Sequence, residues 1–200
     1  MEFFEPRNLD LEVVREWHEG WLRLINDKIP AEIGLRQWGA DFNHGQKWLM
    51  APLVFNPEWK FLKTNKPQAE LRIISEILSR AYPRTSEYFS ELISNDKLSY
   101  VAYSVLLPGA VLKTHNHFNP NSRKFHHLIY CQGDCGLMYM MPLSDGKLQK
   151  QIHSWKEPGE CLVFNDNWPH SAWNNSEEPR IVLVIDYSIP SDNNEQMSSS

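Results

Sequence analysis

Two hundred residues carry 20 Lys and Arg against 25 Asp and Glu, a formal charge of −5, and no basic run stands out, which argues against nucleic acid or an anionic membrane surface as a partner. The length suits one domain with a sizeable core, and no apolar stretch approaches the ~20 residues that span a bilayer. The acidic opening "MEFFEPRNLDLEVV" lacks the basic-then-apolar layout of a secretion signal, so the expected compartment is the cytoplasm.

The first predicted helix is "DLEVVREWHEGWLRLIN". Leu11, Val14, Trp17, Trp21, Leu24 and Ile25 fall on one stripe, and Asp10 can cap the start. His18 reads as a helix-surface histidine, since "HEGWL" is not the HExxH zinc pattern. The stretch "GADFNHGQKWLMAPLVFNP", with His44 in it, reads as loop with a strand at Leu53–Phe55. A second helix follows in "QAELRIISEILSRAY" on Leu71, Ile74, Leu78 and Ala81, and a shorter one starts at Ser86 and runs through Tyr88, Phe89 and Leu92.

From about residue 98 the texture changes. "LSYVAYSVLL", "FHHLIYC", "GLMYMMP", "LQKQIHS", "CLVF" and "RIVLVIDYS" are short and β-prone, and "PG", "NPN", "GD", "SDG", "PGE" and "DNWP" separate them. Even spacing with no helix between points to an antiparallel sandwich or barrel of the jelly-roll or cupin kind. The expected fold is therefore mainly β. Residues 1–190 form a single domain, with a helical and loop part over 1–97 packed on a β core over 98–190. The polar end "SDNNEQMSSS", 191–200, is a disordered tail. Three cysteines, an odd number, fit a reducing compartment; Cys131 and Cys135 around "QGD" could bind metal or form a disulfide, but with no second such pair they read as buried or turn-flanking thiols. "NNS" at Asn174 is a chance match to a glycosylation acceptor.

The chemistry concentrates in "HNHFNPNSRKFHH", residues 115 to 127, with four histidines in thirteen positions. Side chains alternate faces along a strand, so His126 and His127 point oppositely and only one of them can look into a barrel. His115 ends the segment that follows "PG", and "WPHSAW" places His170 in a turn before a β-prone piece. Histidines from an early and a late strand can converge on a lumen. Two neutral imidazoles with open positions suit Fe(II) better than a closed tetrahedral zinc site.

In order along the chain stand "YSVLLPGAVLKTH" ending at His115, then Lys124, Phe125 and His126, then Trp155 and "GECLVFND", then "WPHSAW" around His170, and last Arg180 in "PRIVLVIDY". This series resembles the aspartyl/asparaginyl β-hydroxylases, Fe(II)- and 2-oxoglutarate-dependent dioxygenases on a double-stranded β-helix, over about residues 100 to 188. The resemblance implies that His115 and His170 bind the iron, that Ser104, His126 and Arg180 hold 2-oxoglutarate, and that O2 is the second cosubstrate. A guanidinium fork suits the distal carboxylate of the diacid. Trp155 and Trp173 read as packing, and His127 and His153 as outward-facing strand residues. Asp166 is either a ligand-orienting carboxylate or a turn residue.

Two positions depart from the family pattern. Lys124 stands where the family usually has arginine, and offers a single point contact to the cosubstrate; neighbouring Arg123 points to the other face. His117 stands where related oxygenases carry a metal-binding carboxylate, and is a possible third ligand or a pocket-lining residue. The implied reaction is hydroxylation of an unactivated carbon, the β carbon of an aspartyl or asparaginyl residue, a free amino acid or an amino-acid-derived metabolite. The lack of a membrane segment and of a large peptide-repeat region implies a small-molecule or short-peptide substrate. Two alternatives remain. One is a cupin-type metal dioxygenase or isomerase with a centre of His115, His117 and His170 that does not use 2-oxoglutarate. The other is a non-catalytic binding barrel.

Overall fold

The computed structural model describes residues 9–26, 36–37, 47–58, 67–117 and 121–189. In chain order the elements are α1 (Leu11–Ile25), β1 (Arg36–Gln37), β2 (Trp48–Phe55), α2 (Gln68–Ala81), α3 (Pro83–Ser94), β3 (Leu98–Leu106), β4 (Ala110–His115), β5 (Ser122–Tyr130), β6 (Cys135–Pro142), β7 (Leu148–Ser154), β8 (Cys161–Asn165), β9 (His170–Asn174) and β10 (Arg180–Ser188). His44 and the expected tail over 191–200 lie outside the described residues.

The helices start where local chemistry satisfies their first N–H groups. Asp10 accepts from the Glu12 N–H at 2.7 Å and opens α1. α3 begins at Pro83, three residues ahead of the Ser86 start predicted from sequence. Pro83 sits at the first turn, where its missing N–H is no loss. The cap comes from another helix: the buried Glu16 carboxylate of α1 accepts from the N–H groups of Arg84 at 3.1 Å and Thr85 at 2.7 Å. β2 is longer than the predicted Leu53–Phe55, because Trp48–Pro52 also pair with β3 through an irregularity between Pro52 and Val54.

All strand pairings are antiparallel. A six-stranded sheet runs β1-β2-β3-β10-β5-β8 and a four-stranded sheet runs β4-β9-β6-β7. The two sheets close on a shared interior, where Leu128, Val182 and Val184 of the large sheet meet Cys135 of the small one and Trp155. The molecule is thus mainly β, a double-stranded β-helix of the jelly-roll kind. Alternation on β10 sorts the rest. Val182 and Val184 face this lumen, while Ile181, Leu183, Ile185 and Tyr187 face outward into a second core with Trp17, Leu78 and Phe89 of the three helices. The helices therefore cover the outer face of the large sheet and leave the lumen to the site.

Two further sequence expectations change. Cys131 and Cys135 are joined by a disulfide across the turn between β5 and β6, rather than standing as thiols, which withdraws the cysteine argument for a reducing compartment. His153 is turned inward, its ring 4.2 Å from that of Trp155, because its partner Leu137 faces the interior of the small sheet. Among the described residues no helix is long and apolar enough to cross a membrane.

Candidate functional site

His115 is the last residue of β4 and His170 the first of β9, and the two are partners across the small sheet. Their ring centroids lie 4.3 Å apart. Each ring is fixed in the same way. Nδ1 of His115 lies 2.7 Å from the carbonyl of Lys113, and Nδ1 of His170 lies 2.8 Å from that of Trp168. A carbonyl only accepts, so Nδ1 carries the proton and donates, and Nε2 keeps its lone pair for a ligand role. Burial pushes the His170 pKa down to about 4, with His115 acting in the same direction, so this imidazole is neutral at physiological pH.

His117 joins them. Its ring centroid is 5.5 Å from that of His115 and 5.8 Å from that of His170, and the three ligand atoms lie within 4.8 Å of one another. Beneath them is Asp166, only 2% exposed. Its Oδ1 has no hydrogen-bond partner and sits 3.6 Å from Nε2 of His170. A buried carboxylate oxygen without a donor is unfavourable, and a cation among the imidazoles answers it. The donor set therefore fits a divalent metal held by nitrogen.

Beside this cluster one buried lysine stands between two carboxylates. Lys124 is bound by Asp186, donates to the Tyr100 hydroxyl at 2.8 Å and lies 3.5 Å from Oδ2 of Asp166. Burial opposes its charge, but Asp186, Tyr100 and Asp166 outweigh that and hold its pKa well above the ordinary lysine value. Asp186 also accepts from Ser122 at 3.0 Å and Ser99 at 3.3 Å. Lys124, expected to contact a cosubstrate, thus reaches the site already inside an ion pair. Asp186, Tyr100 and Trp48 escaped the sequence reading. Asp186 left one signal, since it shares the alternating face of Arg180, Val182 and Val184.

Further along the lumen lies Arg180, 1% exposed. Its guanidinium sits 5.9 Å from the Trp155 ring, its Nε has no hydrogen-bond partner, and no carboxylate among the described residues pairs with it. Burial alone pulls its pKa down to about 9, so it remains cationic at neutral pH at a desolvation penalty. His126, opposite Val184 on β5, is buried, and its Nδ1 also lacks a partner. Burial, then the charges of Arg180 and Lys124, keep it neutral. Ser104, opposite Val182 on β3, accepts from Nε1 of Trp48 at 2.9 Å and retains its own hydroxyl hydrogen to donate. The structure so brings all six residues singled out in the sequence, and His117, to the interior of one barrel or its rim. The wall next to His170 is aromatic: Tyr139 stacks on Phe164 and Trp168 with centroids 5.8 and 5.9 Å apart.

His127 points outward, as alternation requires, against α1. Its Nδ1 contacts Sγ of Cys161 at 3.3 Å and its Nε2 contacts Nε2 of His18 at 3.4 Å. Burial and the neighbouring His18 lower its pKa to about 4. The folded value lies below the unfolded one, near 6.5, so between pH 6.5 and 4 the unfolded chain takes up a proton that the folded chain refuses. Stability falls through that window, by on the order of 3 kcal/mol for this one group. Denaturant titrations of the His127→Gln variant should show a flatter pH profile than wild type from 6.5 to 4; parallel profiles would remove this account.

The family model for aspartyl/asparaginyl beta-hydroxylase matches residues 68–190. An ornithine lipid ester-linked acyl 2-hydroxylase of Rhizobium tropici is 36% identical over 44 residues, which are 22% of this chain and 15% of that relative's own length. Among solved structures, a predicted oxalate decarboxylase from Thermotoga maritima aligns with a TM-score of 0.44 and 14% identity, over 80% of this chain and 96% of that one. A polyketide cyclase from Streptomyces resistomycificus aligns at 0.42 and 10%, over 78% and 74%.

Proposed function

The chain belongs to the aspartyl/asparaginyl β-hydroxylase family, and from that premise we propose that it is an Fe(II)- and 2-oxoglutarate-dependent dioxygenase. Its reaction is hydroxylation of an unactivated carbon, the β carbon of an aspartyl or asparaginyl residue, a free amino acid or an amino-acid-derived small molecule. The observation that carries this reading is Arg180: a guanidinium buried in the same lumen as the histidine cluster, with no carboxylate of its own. An unpaired buried charge is unfavourable unless a ligand completes it, and a dicarboxylate does so in two charge-assisted hydrogen bonds.

His115 and His170 would hold the metal through the Nε2 atoms that their Nδ1–H bonds leave free. Fe(II) there would supply the redox chemistry that couples O2 and 2-oxoglutarate to hydroxylation, with succinate and carbon dioxide as coproducts. Arg180 takes the distal carboxylate, and the Ser104 hydroxyl hydrogen is available to the same group. His126, neutral and unpartnered at Nδ1, offers a hydrogen bond midway along the lumen. Lys124, fixed by Asp186, holds Asp166 in place beside the metal ligands. Leu128, Val182, Val184 and Trp155 keep the interior dry, which strengthens each polar contact made there.

The three-imidazole cluster favours a second reading, a cupin-type metal enzyme indifferent to 2-oxoglutarate. One experiment separates the two. Under anaerobic conditions, Fe(II) followed by 2-oxoglutarate should give a visible charge-transfer band. Admission of O2 with free amino acids, short Asp or Asn peptides and ester-linked acyl compounds should then release succinate and add one oxygen to one of them. A protein that takes up Fe(II) but gives neither band nor succinate supports the cupin reading instead.

A further inference from the structure

In the reading above His117 has no task. We infer that it is a third protein ligand, so that the centre holds a divalent transition metal with three neutral imidazoles while the Asp166 carboxylate serves it from outside. This inference rests on the proposed metal site and adds to it the ligand count and charge.

Four observations place His117 there. It follows His115 by two residues, just past the end of β4, and its ring centroid lies 5.5 Å from that of His115. Its backbone N–H donates to the carbonyl of Asp166 at 3.1 Å, which ties its segment to the stretch that leads into His170. The two ligand-bearing segments are therefore clamped together by a residue that belongs to neither strand. Its ring lies within 24° of parallel to that of His170, and its ligand atom falls inside the same 4.8 Å cluster.

The fourth observation is Asp166. Its Oδ1 lacks any donor and faces Nε2 of His170 at 3.6 Å, and its Oδ2 lies 4.0 Å from Nε2 of His117. One buried carboxylate is thus turned toward two of the three ligand rings. Lys124 lies 3.5 Å from Oδ2, and the cluster of ligand atoms within 4.8 Å of one another contains no Asp166 oxygen. A surface histidine with a side chain 46% exposed would need no such surroundings.

Chemically, three imidazoles make a neutral, borderline-soft set that suits Fe, Co, Ni, Cu or Zn and discriminates against Mg and Ca. The ligands themselves then take nothing from the metal's charge, and the lumen already holds one buried guanidinium without a carboxylate partner. That charge pattern is suited to a dianionic small ligand.

The test uses Co(II) as the probe, added to the purified full chain. In paramagnetic proton spectra each coordinated imidazole contributes one exchangeable, strongly shifted N–H line. Wild type should show three, and His117→Ala two. Co(II) affinity should fall in that variant by at least the ~10- to 100-fold that loss of a mere outer partner causes. His117→Asp should restore affinity while still showing two lines, and Asp166→Asn should keep all three. His117 lies at the protein surface, so the fold does not depend on it. Two lines in wild type, with unchanged affinity in His117→Ala, would overturn the third ligand and leave the dioxygenase reading standing. No Co(II) binding by wild type would overturn both.

Discussion

His170→Ala is expected to lose tight metal binding and all succinate formation while its barrel stays folded. The residue is 6% exposed, its Nδ1–H is committed to the Trp168 carbonyl, and its Nε2 lies 3.6 Å from the unpartnered Asp166 oxygen. The histidine opens β9 and pairs with both His115 and Tyr139, so it is the point where the two flanking strands of the small sheet meet at the metal. Its removal leaves His115 and the half-exposed His117, and these do not face each other across a shared strand pair. The effect on affinity should exceed the roughly 100-fold that loss of an outer hydrogen-bond partner produces. The backbone pairings of β9 do not involve the side chain, so circular dichroism should match wild type. His170→Gln, which keeps most of the volume against Phe164, guards against the trivial explanation of a cavity. Isothermal titration with Fe(II) under anaerobic conditions reads the first effect and succinate release the second. Metal bound as tightly by both variants as by wild type would move the centre elsewhere in the barrel.

Much of this arrangement was legible in the residues because the β half is punctuated so densely. "PG" before β4, "SDG" before β7 and "PGE" before β8 each end one strand and start another, and alternation then decides which side chains enter the lumen. That rule separates His126 from His127 and puts Arg180 with Val182 and Val184; that His126 is the one inside came from the family resemblance. What stayed hidden depends on partners remote in sequence. The first half of β2 is a strand only because β3 pairs with it; "WLMAP", read locally, has a proline that denies it. The start of α3 depends on Glu16 from another helix. The ion pair of Lys124 requires knowing that β5 and β10 run in the register that sets Lys124 opposite Asp186. His153 looked like a surface residue, since β7 is otherwise largely exposed. Its inward turn follows from the register that sets it opposite the buried Leu137. The disulfide over this five-residue span was one of several possibilities, because the spacing fits a turn with free thiols just as well.

The lumen also shows why fold stability and cosubstrate binding pull apart at Arg180. The depression of its pKa to about 9 reflects a folded state that disfavours the charge. For a base whose folded pKa lies below the unfolded one, that difference is a destabilisation at every pH below it, on the order of several kcal/mol as an upper bound. Arg180→Met keeps length and apolar bulk against Trp155 and removes the charge. The apo protein should therefore melt no earlier than wild type, and later if the lumen repacks well, as happens when other buried ions give way to apolar residues. The opposite holds for the cosubstrate. Leaving a buried carboxylate without its cation costs roughly 2–5 kcal/mol, which is about 30-fold to several thousand-fold in 2-oxoglutarate affinity. Arg180→Lys should recover part of the affinity, since an ammonium restores the charge but not the two-pronged geometry. Metal binding should be unchanged in both variants, because no metal ligand touches the guanidinium. Thermal melts of the apo chains, together with 2-oxoglutarate titrations of the Fe(II) forms, give the two halves. The decisive pattern is higher or equal melting temperature with lost cosubstrate affinity; an Arg180→Met protein that unfolds early and binds 2-oxoglutarate normally would make this arginine a structural strut instead.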